Sequence, residues 1–401
     1  MFWYPLIMSI VWMVGGILFY FRIERNATRD PVFLIEEPLV SILIPCYNEE
    51  ETIEETIQNL QLLKYPHFEI IAINDGSKDN TSAVLKRLSR KTSNLRVIDL
   101  KENAGKANAL YLGFIASKGE ILMGLDADAY LDPYALHYMI PHFTTPKNGE
   151  RVGAVTGNPR VRNRSSLIAK IQLCEFSSII GLIKRSQRIL GKVMTVSGVV
   201  VAFRKRALMD CGLWDRDLIT EDIGVTWKLQ KKFWDVRYEP RAICWMLVPE
   251  TIKGIWKQRV RWAQGGIEVI LRHRDVLFHW KYRRLVPIYL EQVCSIVWSI
   301  SWIIVFIIAM WHKTMGYSDY QPIQWEGAYI SIFCILQFII AMRIDQTYDE
   351  KLSRYYLWVI WYPIFYWYIN AFAILRALPK AIFRKRNTFA VWESPDRGIS
   401  A

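Results

Sequence analysis

The stretch ILMGLDADAY, residues 121–130, sets an apolar run directly before two carboxylates one residue apart, Asp126 and Asp128. A run bounded in this way reads as a buried strand whose carboxyl end opens onto something polar. Two carboxylates at that spacing repel each other, so they call for a positive partner beside or between them. A hard divalent cation completing its shell from phosphate oxygens and water is one such partner. A solvated acidic turn is the plainer alternative.

Similar apolar runs stand at 39–44 (LVSILI), 68–73 (FEIIAI), 95–99 (LRVID) and 152–156 (VGAVT). Segments with helical spacing separate the first four. Asn48 followed by Glu51 has the pattern of a capping box, after which Ile53, Ile57 and Leu60 line one helix face. Ala104–Ser117 behaves similarly. Strand–helix alternation of this kind predicts an α/β domain with a mostly parallel sheet covered on both faces. Ligands in such sheets bind beyond the carboxyl ends of the strands. The polar clusters CYNEE, NDGSKDN and DADAY fall there.

The flanks are of another kind. Met1–Phe21 carries no charged residue and matches the ~20 residues a helix needs to cross a bilayer. It lacks a basic start and a small-x-small cleavage site, so it reads as an uncleaved anchor, not a signal peptide. Three more apolar runs follow: Leu285–Trp311, Gly327–Met342 and Tyr355–Leu375. The expected organisation is a transmembrane helix at 1–21, a globular domain at 36–250, an interfacial segment at 251–284, a transmembrane region at 285–378 and a basic tail at 379–401. Arg22 and Arg25 after the first span, and Arg283 and Arg284 before the next, place the globular domain in the cytoplasm by the positive-inside rule. Three crossings after 285 would leave the tail outside, against that rule, so one run is a candidate for a re-entrant segment; Pro363 interrupts the last of them. Residues 166–190 read as an amphipathic helix with Lys170, Lys184, Arg185 and Arg188 among its polar positions. Such a helix either packs on the domain or lies in the membrane interface. The net charge of +13 is explained by basic residues beside apolar spans, so nucleic acid is not expected as a partner. The six cysteines form no CxxC pair and are expected to be reduced packing residues.

Further residues suit a nucleotide–sugar chemistry. Asp75 follows a strand at the same edge, where it would hold a uridine. Lys106 stands near a helix start, a position suited to an anionic phosphate. Asp222, in TED at 220–222, is placed to act as a general base. In GIWKQRVRWAQGG, Gln258, Arg261 and Trp262 fall at i, i+3 and i+4, so one helix face presents an amide, a guanidinium and an indole. Arginine suits diphosphate and an indole face suits a sugar ring. The plainer readings are a core tryptophan at Trp262 and an Arg259 that reaches lipid headgroups.

Asp75, Asp126-Ala127-Asp128, Thr220-Glu221-Asp222 and Gln258-Arg259-Val260-Arg261-Trp262, in that order and spacing, resemble the processive, inverting family 2 glycosyltransferases. That group has a GT-A (Rossmann-like) domain with a membrane channel. Stretches such as AVTGNPRVRNRSSLIAKIQ, LITEDIGVTWKLQ, GIWKQRVRWAQGG and WESPDRG look like the bacterial poly-β-1,6-N-acetylglucosamine synthases of biofilms. The resemblance implies that Asp75 contacts uridine, that Asp126 contacts UDP, and that Asp128, with Asp126, ligates Mg²⁺ or Mn²⁺. It implies that Lys106 and Arg261 hold the diphosphate and that Asp222 deprotonates the acceptor. Gln258 and Trp262 would frame the acceptor sugar, with Ser197 and Gly198 nearby. It further implies UDP-N-acetylglucosamine as donor, export of the growing polysaccharide through the bacterial inner (cytoplasmic) membrane, a small membrane partner subunit and control by cyclic di-GMP. A hyaluronan, chitin or cellulose product is the alternative within the group. Trp302, Trp358 and Trp361 are candidates for stacking on sugars or for anchoring at the membrane interface.

Overall fold

The computed structural model describes residues 2–146, 148–316, 325–384 and 388–391. The chain opens with α1 (Trp3–Phe19), which runs on as a π-helical turn, Tyr20–Glu24. Then come β1 (Val40–Cys46), α2 (Ile53–Leu60), β2 (Phe68–Asp75), α3 (Thr81–Ser89), β3 (Leu95–Leu100), α4 (Lys106–Ala116), β4 (Ile121–Leu125), β5 (Tyr130–Leu131), α5 (Ala135–Met139), α6 (Pro141–Thr144) and β6 (Val152–Val161). After α7 (Leu167–Glu175) and α8 (Ile183–Ile189) follow β7 (Val200–Arg204), α9 (Lys205–Cys211), α10 (Glu221–Lys231) and β8 (Asp235–Met246). Helices α11 (Ile252–Arg272), α12 (Val286–Thr314), α13 (Trp325–Asp345) and α14 (Trp367–Phe383) complete it.

Two compact units result. One joins Asn26–Asn163 and Lys192–Pro249 with the described residues 388–391; the other joins Met1–Arg25, Arg164–Gly191 and Glu250–Arg384. The expected single stretch at 36–250 is therefore interrupted, because 164–191 packs with the apolar helices.

The first unit is built on one sheet of order β3-β2-β1-β4-β7-β6-β8-β5. Strand β1 pairs in parallel with β2 on one side (Val40 opposite Phe68) and with β4 on the other (Val40 opposite Ile121). Every residue of β1 is buried, as expected of a strand covered on both faces. Its side chains divide by the period of two. Ile42 and Ile44 join Ile53, Ile57, Leu60 and Leu85 in one apolar layer, whereas Leu43 joins Ile71, Ile73, Ala109 and Leu110 in the other. Each such aliphatic side chain contributes ~1.5–3 kcal/mol on full burial. The five expected strands form as β1–β4 and β6. Strands β5, β7 and β8 are additional, and β7 enters antiparallel between β4 and β6. Because β1 has parallel neighbours on both sides, the strand order reverses between β1 and β4, the point where open α/β sheets bind ligands.

The capping box does not form. Helix α2 starts after Thr52, whose hydroxyl donates to Glu49. Asn48 takes a left-handed conformation (φ 55°), and its side chain accepts from the Lys78 amide at 2.9 Å. Its side chain is spent on joining the β1–α2 loop to the β2–α3 loop.

Among the described residues of the helical unit, three helices are long and apolar enough to cross a membrane: Trp3–Glu24, Val286–Thr314 and Gly327–Asp345. The run Tyr355–Leu375 is not one continuous α-helix. It divides into a 3₁₀ stretch ending at Ile360, a π-helical turn Tyr362–Tyr366 that contains Pro363, and the start of α14. Proline lacks the amide that a regular α-helix needs there. The segment expected as one amphipathic helix at 166–190 is α7, a π-helical middle (Phe176–Leu182) and α8. Two of its basic residues are withdrawn from the surface, while Lys170 and Arg188 are half-buried. Lys184 and Arg185 are buried, and Arg185 is ion-paired to Glu24 (2.7 Å) and Asp345 (2.9 Å). Helix α1 approaches α8 so closely at Gly15 and Gly16 that a β-carbon would overlap Ser186 and Leu182. The tail expected at 379–401 is described only to 384 and at 388–391; WESPDRG, 392–398, lies outside the described residues.

Candidate active site

The site forms where the carboxyl ends of β2 and β4 meet the first turns of α4 and α10. Asp75 ends β2 and is buried. Its two oxygens accept the amides of Ala104 (3.0 Å) and Gly105 (2.8 Å), which fixes the loop leading into α4. Burial pushes its carboxyl above the usual range, and the two amides hold it back. Gly105, at φ 91°, is required here: a β-carbon would overlap the carbonyl of Ala390.

Lys106 is the first residue of α4, and its ammonium supplies a positive partner to one of the two DADAY carboxylates, Asp126. Nζ lies 2.6 Å from Asp126 Oδ1, 3.1 Å from Glu221 Oε1 and 3.4 Å from the Gly198 carbonyl. Burial works against that charge, but Asp126, Glu221 and Asp222 more than offset it and raise the lysine's proton affinity. Asp128 is buried. Below the pair sits Cys244, whose thiol is held well above its usual range by burial and then by the charges of Asp126 and Asp128.

Asp222 stands in the first turn of α10. One oxygen accepts from its neighbour's amide at Ile223 (2.9 Å), and the other meets the Gly198 amide at 3.3 Å. Its carboxyl is pushed up to about 6, by burial first and then by the Glu221 charge; Lys106 and the two amides oppose the shift. A β-carbon on Gly198 would lie 3.2 Å from Asp222 Oδ2 and 3.4 Å from Glu221 Oε1. Ser197 presents its amide to the Thr156 hydroxyl (2.8 Å), so the 197–198 turn is anchored to the sheet. The structure thus brings Lys106, Asp126, Gly198 and Asp222 together, with Asp75 bound to the same loop.

Glu221 is the residue that sequence reasoning quoted but left without a role; only its adjacency to Asp222 signalled it. Among the described residues no group of three His, Cys, Asp or Glu is arranged to hold a metal. Carboxylates at the spacing of Asp126 and Asp128 are a donor set that a hard cation could share with phosphate and water; Asp126 Oδ1 is here engaged by Lys106.

Gln258, Arg261 and Trp262 stand on α11 in the helical unit. Gln258 is buried, and its Oε1 has no hydrogen-bond partner among the described residues. Arg261 and Trp262 are half-buried. Arg259 does not reach toward lipid: it is buried, paired with Glu175, and lies 4.6 Å from the Trp262 ring centre. Of the aromatic candidates, Trp302 packs edge-on to Tyr368 at 4.5 Å and parallel to Phe306. Lys170 caps Trp358 at 4.9 Å, and Trp361 leans on Phe365. Four of the six cysteines are buried and all are free, in keeping with a packing role.

Residues 41–212 match the model of the glycosyl transferase family 2. The chain is 45% identical over 405 residues to a poly-β-1,6-N-acetyl-D-glucosamine synthase of Staphylococcus epidermidis, covering 98% of this chain and 97% of that one. It is likewise 45% identical over 412 residues to the synthase of the same name from Staphylococcus aureus strain COL, with the same coverage. A mannosyltransferase from Pyrobaculum calidifontis, solved with GDP-Man and Mn²⁺, superposes with a TM-score of 0.59 at 18% identity, over 96% of this chain and 99% of that one. At that identity the likeness speaks to fold, and it extends the GT-A reading of the sheet.

Proposed function

The chain belongs to glycosyl transferase family 2, among the poly-β-1,6-N-acetyl-D-glucosamine synthases, and from that premise we propose that it polymerises N-acetylglucosamine from UDP-N-acetylglucosamine into a β-1,6-linked chain. Asp222 accepts the proton of the 6-hydroxyl on the growing chain's terminal sugar. The oxygen attacks the anomeric carbon, the bond to the UDP oxygen breaks, and one displacement turns an α-linked donor into a β-linkage. A carboxylate that titrates near 6 carries its charge at neutral pH and still accepts a proton readily.

Lys106 and Arg261 neutralise the departing diphosphate. Asp75 holds the loop that faces the uridine, and Asp126 contacts UDP. Asp128 with Asp126 would hold Mg²⁺ or Mn²⁺, which when bound offsets charge on the leaving group. Gln258 and Trp262 receive the acceptor sugar, and Ser197 and Gly198 are further candidates for it; the unpartnered Gln258 Oε1 suits a sugar hydroxyl. The helical unit guides the product through the bacterial inner (cytoplasmic) membrane, with the α/β unit on the cytoplasmic side. The assembly includes a small membrane subunit, and cyclic di-GMP regulates it.

The single observation that carries this reading is the carboxylate of Asp222, raised in pKa, beside a lysine clamped between Asp126 and Glu221. The test is incubation of membranes containing the full chain with labelled UDP-N-acetylglucosamine, followed by digestion with linkage-specific hydrolases. Polymer cleaved only by a β-1,6-specific glucosaminidase is expected. Polymer resistant to it but cut by a chitin-specific enzyme, or polymer formed only when UDP-glucuronate is added or only from UDP-glucose, would transfer the chain to the alternative product class, and a single transferred sugar would end the processive reading.

A further inference from the structure

A cavity of about 420 Å³ lies outside the site described above, in the helical unit. Its lining is Tyr20, at the end of the α1 helix, with Arg343, Ile344, Gln346 and Thr347 at the end of α13. The volume falls within the ~300–1,000 Å³ typical of ligand cavities. Both helices are long and apolar enough to cross a bilayer, and the shared cavity shows that they end on the same side.

The charge there is one-signed. Of the carboxylates near in sequence, Glu24 and Asp345 are both taken up by the buried Arg185, Glu24 also accepts the Tyr348 hydroxyl at 2.7 Å, and Asp349 is paired with Arg164 at 2.5 Å, which leaves the exposed Glu350 outside the lining. Among the described residues no carboxylate lines the cavity. The carbonyls that would make the end of α13 negative are capped: Met342 accepts from Gln346 (2.8 Å), and Asp345 accepts from Tyr348 (2.9 Å) and Asp349 (3.1 Å). Arg343 is exposed and rests its guanidinium on Gln346 Oε1 at 2.9 Å. Arg22 and Arg25 stand exposed on the turn that follows α1.

We propose that this cavity binds the phosphate of an anionic lipid headgroup, with Arg343 as its counter-charge. The guanidinium fork suits two phosphate oxygens. The Thr347 and Tyr20 hydroxyls and the Gln346 amide can donate to the remaining oxygens, and the flanking apolar helix surfaces take the acyl chains. Basic pockets between spans on the cytoplasmic side are a recurrent home for such headgroups.

The test is native mass spectrometry of the full chain released from nanodiscs of phosphatidylglycerol or of phosphatidylcholine. Wild type should retain phosphatidylglycerol in preference to phosphatidylcholine, and Arg343→Gln should lower that retention about tenfold. Arg343→Lys, which keeps the charge, should recover most of it, and Lys313→Gln, at the far end of α12, should change nothing. A thermal melt of each variant separates loss of the lipid from loss of the fold. Equal retention of both lipids by wild type, or undiminished phosphatidylglycerol on a folded Arg343→Gln protein, would overturn the proposal. So would displacement of the lipid by inorganic phosphate at equal concentration, which would make the site one for the free anion.

Discussion

Asp222 carries two opposed demands, and they separate by pH. Its folded-state pKa of about 6 lies above the unfolded value of about 4. The proton therefore stabilises the fold below about pH 4, and that stability is lost as pH rises through 6. At pH 8 the ionised carboxylate is a burden on the fold that catalysis requires. Asp222→Asn should lower the turnover number by roughly 10²–10⁴-fold, the range for a general base, while UDP still binds. The same variant should melt higher than wild type at pH 8 and together with it near pH 4. Wild-type turnover should fall as pH drops through 6. Glu221→Gln removes a negative neighbour that raises the Asp222 pKa, so its acid limb should move to lower pH; a limb that stays in place would show that Glu221 does not set the charge of the base. Asp126, Asp128 and Asp222 were legible because apolar runs and helix starts bracket them in sequence. The clamp was not. Lys106 reaches Asp126 and Glu221 across distances in sequence of twenty and more than a hundred residues, and only the fold determines that it bridges them.

Elements built on a strict period were the legible ones. The core of β1 alternates by two, and α2 repeats its apolar residues on one face, so both stand in the chain as written. Strand β8 is partly exposed along its length, reads as mixed polar and apolar, and is a strand because β6 pairs with it in parallel. Asn48 misled for the opposite reason: a short polar side chain can cap a helix or tie two loops together, and here Lys78 wins it. The basic residues of α8 leave two readings open, and for Arg185 burial decides it: that guanidinium is the counter-ion of Glu24 and Asp345. The α1–α8 contact rests on the absence of a side chain at Gly15. Gly15→Leu must push the helices apart and should cost about 1–3 kcal/mol, measured as a lower melting temperature in detergent. Gly191→Leu is not a fair control because of its positive φ. Ile7→Leu, on the exposed face of α1, is the proper one and should leave the melt unchanged.

At the scale of the whole chain, the count of crossings follows from where the two ends belong. The chain passes from the end of α1 straight into the α/β unit. Near its other end the Ala390 amide donates to the Arg216 carbonyl of that same unit at 2.9 Å. If both stretches of the α/β unit lie on one side of a membrane, the chain crosses it an even number of times between Pro249 and Ala390. With α12 and α13 as the two candidate crossings, the expected outcome is that the broken segment around Pro363 adds no net crossing, which is also what the positive-inside rule favours for a basic tail. The composition of Tyr355–Leu375 suggests a span, and the structure shows that the helix there is interrupted. A single cysteine placed at Thr388, which is exposed, in a background where Cys294 is replaced by serine, should react with a membrane-impermeant maleimide only after the membrane is opened. One placed at Lys313, at the end of α12, should react in intact cells. Labelling of both from outside would require a third crossing and would break the link between Ala390 and Arg216.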